Sequence, residues 1–343
     1  MRSMADSRLR NRSAALFLLA ILSMGWLAAC GPTTSAQTEL HNLTVGLTYI
    51  PNIQFAPFYV AETLGYFRDA GLKVTLRHHT FNEDEFGAVA SGKEDAVFAG
   101  GDEMLQARDQ HIPLVYVATM YRKYPVTLIV PANSPIQTAA DLRGHSIGVP
   151  GPYGETYFGL LALLQSAGLS TSDVNIQNIG FTQVAALLGG HVDAAVGYIN
   201  NEPIQLQKAN FAVRTLLLSD VVQPLPLVAN GLGALQSELQ NHPADIKALV
   251  AATLRGVQYT IAHPQDALNI SKQYVPDLNN PKNAADALAV LQATIPLWQT
   301  GGAQPGLSDP YTWQQMATFM ANYKLISGPL DASQAFSNSY LPG

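Results

Sequence analysis

Two α/β lobes, each built on a doubly wound sheet, are predicted for this 343-residue chain by three observations. Residues 43–76 carry an apolar strand pattern, a loop, a helical pattern and a second strand, which is a βαβ unit and calls for a parallel sheet. The same order recurs after residue 145, where a short strand runs into a glycine-rich turn and a helix. About 310 residues remain after an amino-terminal export signal, more than one hydrophobic core ordinarily supports.

The first unit sets the pattern. Leu43, Val45 and Leu47 alternate as in a strand, which breaks at Tyr49-Ile50-Pro51-Asn52. Phe55, Tyr59, Val60, Leu64 and Phe67 then follow a helical period that stops at Ala70-Gly71, where glycine can adopt the left-handed conformation. Ligands of such folds bind at the carboxyl ends of the strands. Residues 49–52 (YIPN), 58–61 (FYVA), 65–67 (GYF) and 71–74 (GLKV) resemble the opening of periplasmic substrate-binding proteins related to the thiamine-pyrimidine synthesis proteins. The resemblance runs to about Asn230. It implies a type II periplasmic binding fold with a hinge and ligand cleft, serving an ABC importer.

Arg2, Arg8, Arg10 and Arg12 precede an uncharged apolar run over 14–29, the pattern of an export signal, and too short for a comfortable membrane span. Leu27-Ala28-Ala29-Cys30 resembles a lipoprotein processing site, so residues 1–29 are expected to be removed and Cys30 lipidated. Residues 30–40 then form a linker, and stable anchoring needs two or more acyl chains. Cys30 is the sole cysteine, which excludes an internal disulfide. Loss of four arginines and Asp6 takes the formal charge from −6 to −9, against nucleic-acid binding. Lobe 1 is expected over 41–128 and 225–343, and lobe 2 over 129–224.

Along the chain, Arg77-His78-His79 reads as solvated, since neighbours on a strand face opposite ways and make poor joint metal ligands. Asn82-Glu83-Asp84-Glu85 reads as an acidic helix start. A buried strand over 95–98 leads into Gly100-Gly101-Asp102-Glu103, where glycines permit close approach, the helix amino terminus offers N–H donors, and Asp102 is either a cap or a ligand contact. Strands over 113–119 and 126–130 bracket Tyr121-Arg122-Lys123-Tyr124. Strands over 145–149 and 191–197 deliver Tyr153-Gly154-Glu155-Thr156 and Tyr198-Ile199-Asn200-Asn201-Glu202 to the second lobe's edge. A returning strand is expected over 213–218, a hinge near 224–228, and helices from Asn230 onward, with Trp298 and Trp313 in the core.

Candidate ligand contacts are Asn52, Gln54, Phe55, Phe58, Asp102, Tyr121, Tyr153, Gly154, Glu155, Thr156, Tyr198, Asn200, Asn201 and Glu202. Rings and amides outnumber cations in these loops, so a neutral, flat heteroaromatic ligand is favoured over a sulfonate, nitrate or phosphate. The resemblance implies a carrier of riboflavin or of a thiamine pyrimidine precursor such as formylaminopyrimidine or hydroxymethylpyrimidine, and the tyrosines favour riboflavin as cargo, not as a cofactor. An importer permease and ATPase are the implied partners of a monomeric chain held at the outer face of the cell membrane. The pyrimidine-forming enzymes that resemble this family carry a cysteine-rich segment and use pyridoxal phosphate; this chain has no such segment, which weighs against an enzyme. A structural or adhesive surface lipoprotein, the third class, would bind no small molecule saturably.

Overall fold

The computed structural model describes residues 39–80, 83–328 and 330–343. The export signal, Cys30 and the residues 31–38 lie outside the described residues. None of the described helices is long and apolar enough to cross a membrane.

In the first lobe, β1 (His41–Leu47) leads through a 3-10 turn at Ile53–Phe55 into α1 (Ala56–Thr63) and α2 (Tyr66–Asp69). The single helix expected here is two, because Gly65 takes φ 76° between them. β2 (Leu72–His78) pairs in parallel along all of β1. There follow α3 (Gly87–Ala90), β3 (Ala96–Gly100), α4 (Gly101–Asp109) and β4 (Leu114–Thr119). β3 and β4 are wholly buried, as expected of strands covered on both faces.

The chain then crosses to the second lobe and forms β5 (Val126–Pro131), β6 (Ser146–Val149), α5 (Gly154–Ser166), β7 (Asn175–Asn178), α6 (Gln183–Leu188), β8 (Ala194–Tyr198), α7 (Glu202–Lys208), β9 (Val213–Leu217) and α8 (Leu218–Val221). It returns through residues 222–229 into β10 (Asn230–Leu235), then α9 (Gln236–Asn241), α10 (Pro243–Ala262), α11 (Pro264–Ser271), α12 (Pro281–Trp298) and α13 (Pro310–Asn322). Strand order is β2-β1-β3-β10-β4 in one sheet and β7-β6-β8-β5-β9 in the other. The two orders correspond position by position. In each, three parallel strands are followed by an antiparallel one that has just crossed from the other lobe.

β10 corrects the expectation of helices from Asn230 onward. Its sequence, NGLGAL, has glycines where a strand ordinarily carries β-branched residues. Packing explains them: a Cβ at Gly231 would overlap the Tyr116 hydroxyl and the Ala118 carbonyl, and one at Gly233 would overlap Met104. Closeness to neighbours replaced side-chain propensity. The boundary expected at 128–129 falls inside β5, which pairs only within the second sheet, so the first crossing is residues 120–125.

Two local readings also change. The acidic run 83–85 precedes α3 instead of forming its first turn, and Asp84 Oδ1 accepts the Phe86 N–H at 3.0 Å. His79 is buried, with Nε2 2.8 Å from Glu94 Oε1, and half-buried His78 bonds the Tyr59 hydroxyl at 2.9 Å. The pair faces apart as strand geometry requires, yet neither is solvated, because helix α1 and the residues before β3 cover the strand end. Trp298 and Trp313 are core residues as expected, Trp313 packing between Tyr116 and Phe336.

Candidate functional site

A cavity of about 250 Å³ lies between the carboxyl ends of the parallel strands of both sheets. The first lobe contributes Thr48, Tyr49, Gln54 and Phe55 after β1, His79, Thr80, Glu83 and Glu85 after β2, then Phe98, Glu103, Tyr121 and Asn230. The second contributes Pro150 and Tyr153 to Thr156 after β6, Phe181 and Gln183 after β7, and Tyr198, Asn201 and Glu202 at the end of β8. This is the crevice position expected of wound sheets.

Ten of the fourteen expected contacts line it: Gln54, Phe55, Tyr121, Tyr153, Gly154, Glu155, Thr156, Tyr198, Asn201 and Glu202. Four stand behind it. Asn52 starts the 3-10 turn, its side chain accepting the Gln54 N–H at 3.1 Å. Phe58 is fully buried and packs edge-on to Phe98 at 5.3 Å. Asn200 is fully buried and donates to Thr294 Oγ1 at 2.8 Å, tying the end of β8 to α12. Asp102 is fully buried beneath Tyr124. The amino terminus of α4 does not wait for a ligand: Gly101 and Asp102 donate their N–H groups to the Val228 carbonyl, and Glu103 donates to Asp102 Oδ1 at 2.8 Å. Gly100 and Gly101 therefore allow close approach of protein groups, not of a ligand.

Aromatic rings form the mouth. Tyr153 is 56% exposed, so a flat guest can reach its face without displacing core. Tyr49 and Phe181, one from each lobe, meet edge to face at 5.8 Å.

The inner wall is acidic, a feature of tertiary convergence that the local sequence pattern missed. Glu103 Oε2 accepts the Gly100 N–H at 2.9 Å, and its Oε1 accepts the Glu155 N–H from the facing lobe at 3.3 Å. Glu85 hydrogen-bonds Glu103. Glu155 Oε2 accepts from the Tyr198 hydroxyl, while Glu155 Oε1 is buried with no hydrogen-bond partner among the described residues. Burial pushes the Glu85 carboxyl well above the usual carboxylate range, and the Glu103 charge pushes it further. Burial does the same to Glu155, reinforced by Asp102 and Glu103. Asp102 is also raised well above its ordinary value by burial and by Glu103. Carboxyls this close cannot all ionise, so protons are shared among them.

Tyr124 in the first crossing links the two lobes beside this wall. Its hydroxyl oxygen lies 2.6 Å from Asp102 Oδ2 and 3.0 Å from the Glu155 carbonyl oxygen.

Glu202 accepts the Tyr198 N–H at 2.7 Å and the Asn201 amide at 3.1 Å, so it also organises the turn. Among the described lining residues there is no lysine or arginine. Arg122 turns away to the Leu307 carbonyl, and Arg77 pairs with Glu83 and, at 2.6 Å, Glu94. Glu103 could have been noticed as an acid three residues after a helix start. Glu85 had no such signal.

The model of the family described as NMT1/THI5 like matches residues 52–267. A riboflavin-binding protein of Chloroflexus aurantiacus is 37% identical over 91% of this chain and 89% of its own length. A formylaminopyrimidine-binding protein of Halalkalibacterium halodurans is 26% identical over 94% and 96%. The periplasmic aliphatic sulphonate binding protein of Escherichia coli superposes with a TM-score of 0.68 at 20% identity, covering 86% of this chain and 91% of that one, which speaks for the fold alone. With two matched sheets and a cleft at their strand ends, and a family model spanning more than half its length, the chain belongs to the NMT1/THI5-like family.

Proposed function

We propose that this protein is the extracytoplasmic binding component of an ABC importer, capturing a neutral heteroaromatic vitamin, riboflavin in the first instance, without a chemical step. The observation that carries the reading is the lining: aromatic rings at the mouth, acceptor groups within, and no lysine or arginine among the described lining residues. A sulfonate or nitrate would find no charge-assisted donor there. Flavin rings offer stacking faces, and their polyol offers hydroxyl donors to the acidic wall. The likeness to the Chloroflexus riboflavin-binding protein supports this cargo. Anchoring through lipidated Cys30 and delivery to a permease and ATPase complete the proposal.

Riboflavin fluorescence should be quenched saturably by purified protein. Absence of quenching, beside saturable binding of a formylaminopyrimidine, would transfer the function to the pyrimidine precursor that the second relative's name points to.

A further inference from the structure

We infer that Glu85, Glu103 and Glu155 form a filter that admits the unphosphorylated ligand and rejects its phosphate ester. The inference rests on the heteroaromatic-vitamin reading above and deepens it, by assigning which part of the site sets the cargo's charge.

The filter is built, not incidental. The three carboxyls come from the turn before α3 and the starts of α4 and α5, hence from both lobes, and all three line the cavity. A Cβ at Gly100 would come within 3.0 Å of Asp102, Glu103 and Glu155 at once, so glycine there lets the acids converge. Gly154, at φ 73°, brings the start of α5 against Glu103 Oε1. Glu155 Oε1 has no partner among the described residues and is buried, so a ligand donor would relieve it.

A phosphate monoester carries roughly −1.5 to −2 charges near neutral pH and presents oxygens that accept. Set against this wall, its charge would add to that of a carboxyl cluster that already cannot ionise fully, and the water that solvates it would have to be stripped away. The nearby basic groups are engaged, His79 with Glu94 and Arg77 with Glu83 and Glu94, and so is the Glu155 N–H, with Glu103. A hydroxyl or amino group, by contrast, donates to these oxygens.

The test compares riboflavin with flavin mononucleotide, and hydroxymethylpyrimidine with its phosphate ester, by calorimetric titration of the intact protein. Within whichever pair binds, the ester should be weaker by about a hundredfold. Glu103→Gln and Glu85→Gln should each narrow that ratio by about tenfold, whatever they do to absolute affinity. Melting curves of both variants confirm folding, and the wild-type ratio is read independently of them. An ester bound within threefold of its parent overturns the filter, as does a ratio unchanged in folded variants. If the pyrimidine pair binds and the flavins do not, the riboflavin reading fails while the filter is still judged on its ratio. Binding of inorganic phosphate or an alkanesulfonate in place of both pairs, or no binding by either neutral compound, overturns the filter too.

Discussion

The backbone N–H of Glu155, at the start of a second-lobe helix, donates to Glu103 Oε1 of the first lobe at 3.3 Å. Glu103 also accepts the Gly100 N–H at 2.9 Å and hydrogen-bonds Glu85. It is thus the acceptor at which both lobes and a neighbouring acid meet, and it sits at the positive end of a thirteen-residue helix. The contact between the lobes and the acidic wall are one arrangement.

Glu103→Gln should therefore weaken both. The amide turns donors toward a backbone N–H, and one buried group loses its partner. Urea denaturation should show a loss of about 1–3 kcal/mol, with reduced ligand affinity. A variant with wild-type stability and affinity would show that the seam contributes nothing.

Tyr124→Phe removes the hydroxyl between Asp102 and the Glu155 carbonyl. Neither group gains water in exchange, since both are buried at the crossing. A destabilisation of about 1–3 kcal/mol is expected. Because the hydroxyl joins the two lobes through the crossing, ligand dissociation should also quicken, which stopped-flow displacement can measure.

The acidic wall gives the empty protein a pH dependence of definite sign. Glu85, Asp102 and Glu155 have folded pKa values raised by burial and by one another. Their stabilising contribution is complete below the ordinary carboxylate range of about 4 and is lost as pH rises through the raised folded values. Asp141 and Asp173 are held low by hydrogen bonds from Thr138 and Ser170, and their contribution, of opposite sign, is already complete once pH exceeds that range. The melting temperature of ligand-free protein should then fall between about pH 5 and about pH 8. Glu155→Gln should flatten the slope. A melting temperature that rises across this interval contradicts the assignment.

The tyrosines should separate. Tyr153 is 56% exposed at the mouth, so Tyr153→Ala should cost about tenfold in affinity and leave the melting temperature unchanged. Tyr198 donates to Glu155 from the strand end, so Tyr198→Phe should lower stability as well as affinity. Sequence alone gives both residues the same role; burial distinguishes them. Equal melting temperatures for the two variants would remove the distinction.

What was legible in the sequence follows from how local each signal is. The βαβ unit at β1–β2, the glycine-rich turn into α5 and the Tyr198–Glu202 cluster are written in adjacent residues, and nine of the ten expected lining positions came from them. The acidic wall was not, because Glu85 and Glu103 lie on separate elements and meet Glu155 only when the lobes pack. Asn200 and Phe58 point the other way: their types suit a ligand site, but Asn200 is tied to Thr294 of α12 and Phe58 is buried against Phe98 of β3. Arg122, one of the two cations of these loops, is drawn from the cavity by its bond to the Leu307 carbonyl, which the sequence could not reveal.

β10 was missed for a reason that yields its own test. Gly231 sits in the middle of the first sheet, paired with Ala99 on one side and Thr119 on the other. A methyl group there would overlap the Tyr116 hydroxyl and the Ala118 carbonyl, and Tyr116 is itself fixed by donating to the Ala229 carbonyl at 2.9 Å. Backbone cannot retreat on either side without breaking a ladder, so Gly231→Ala should destabilise by about 3 kcal/mol or more. Removing the obstacle tests the mechanism: Tyr116→Phe in the same chain takes away the hydroxyl but leaves the Ala118 carbonyl, so only part of the stability should return. Full recovery in the double variant would assign the whole restriction to the phenol, and no loss from Gly231→Ala alone would mean the strand has room that the close packing denies.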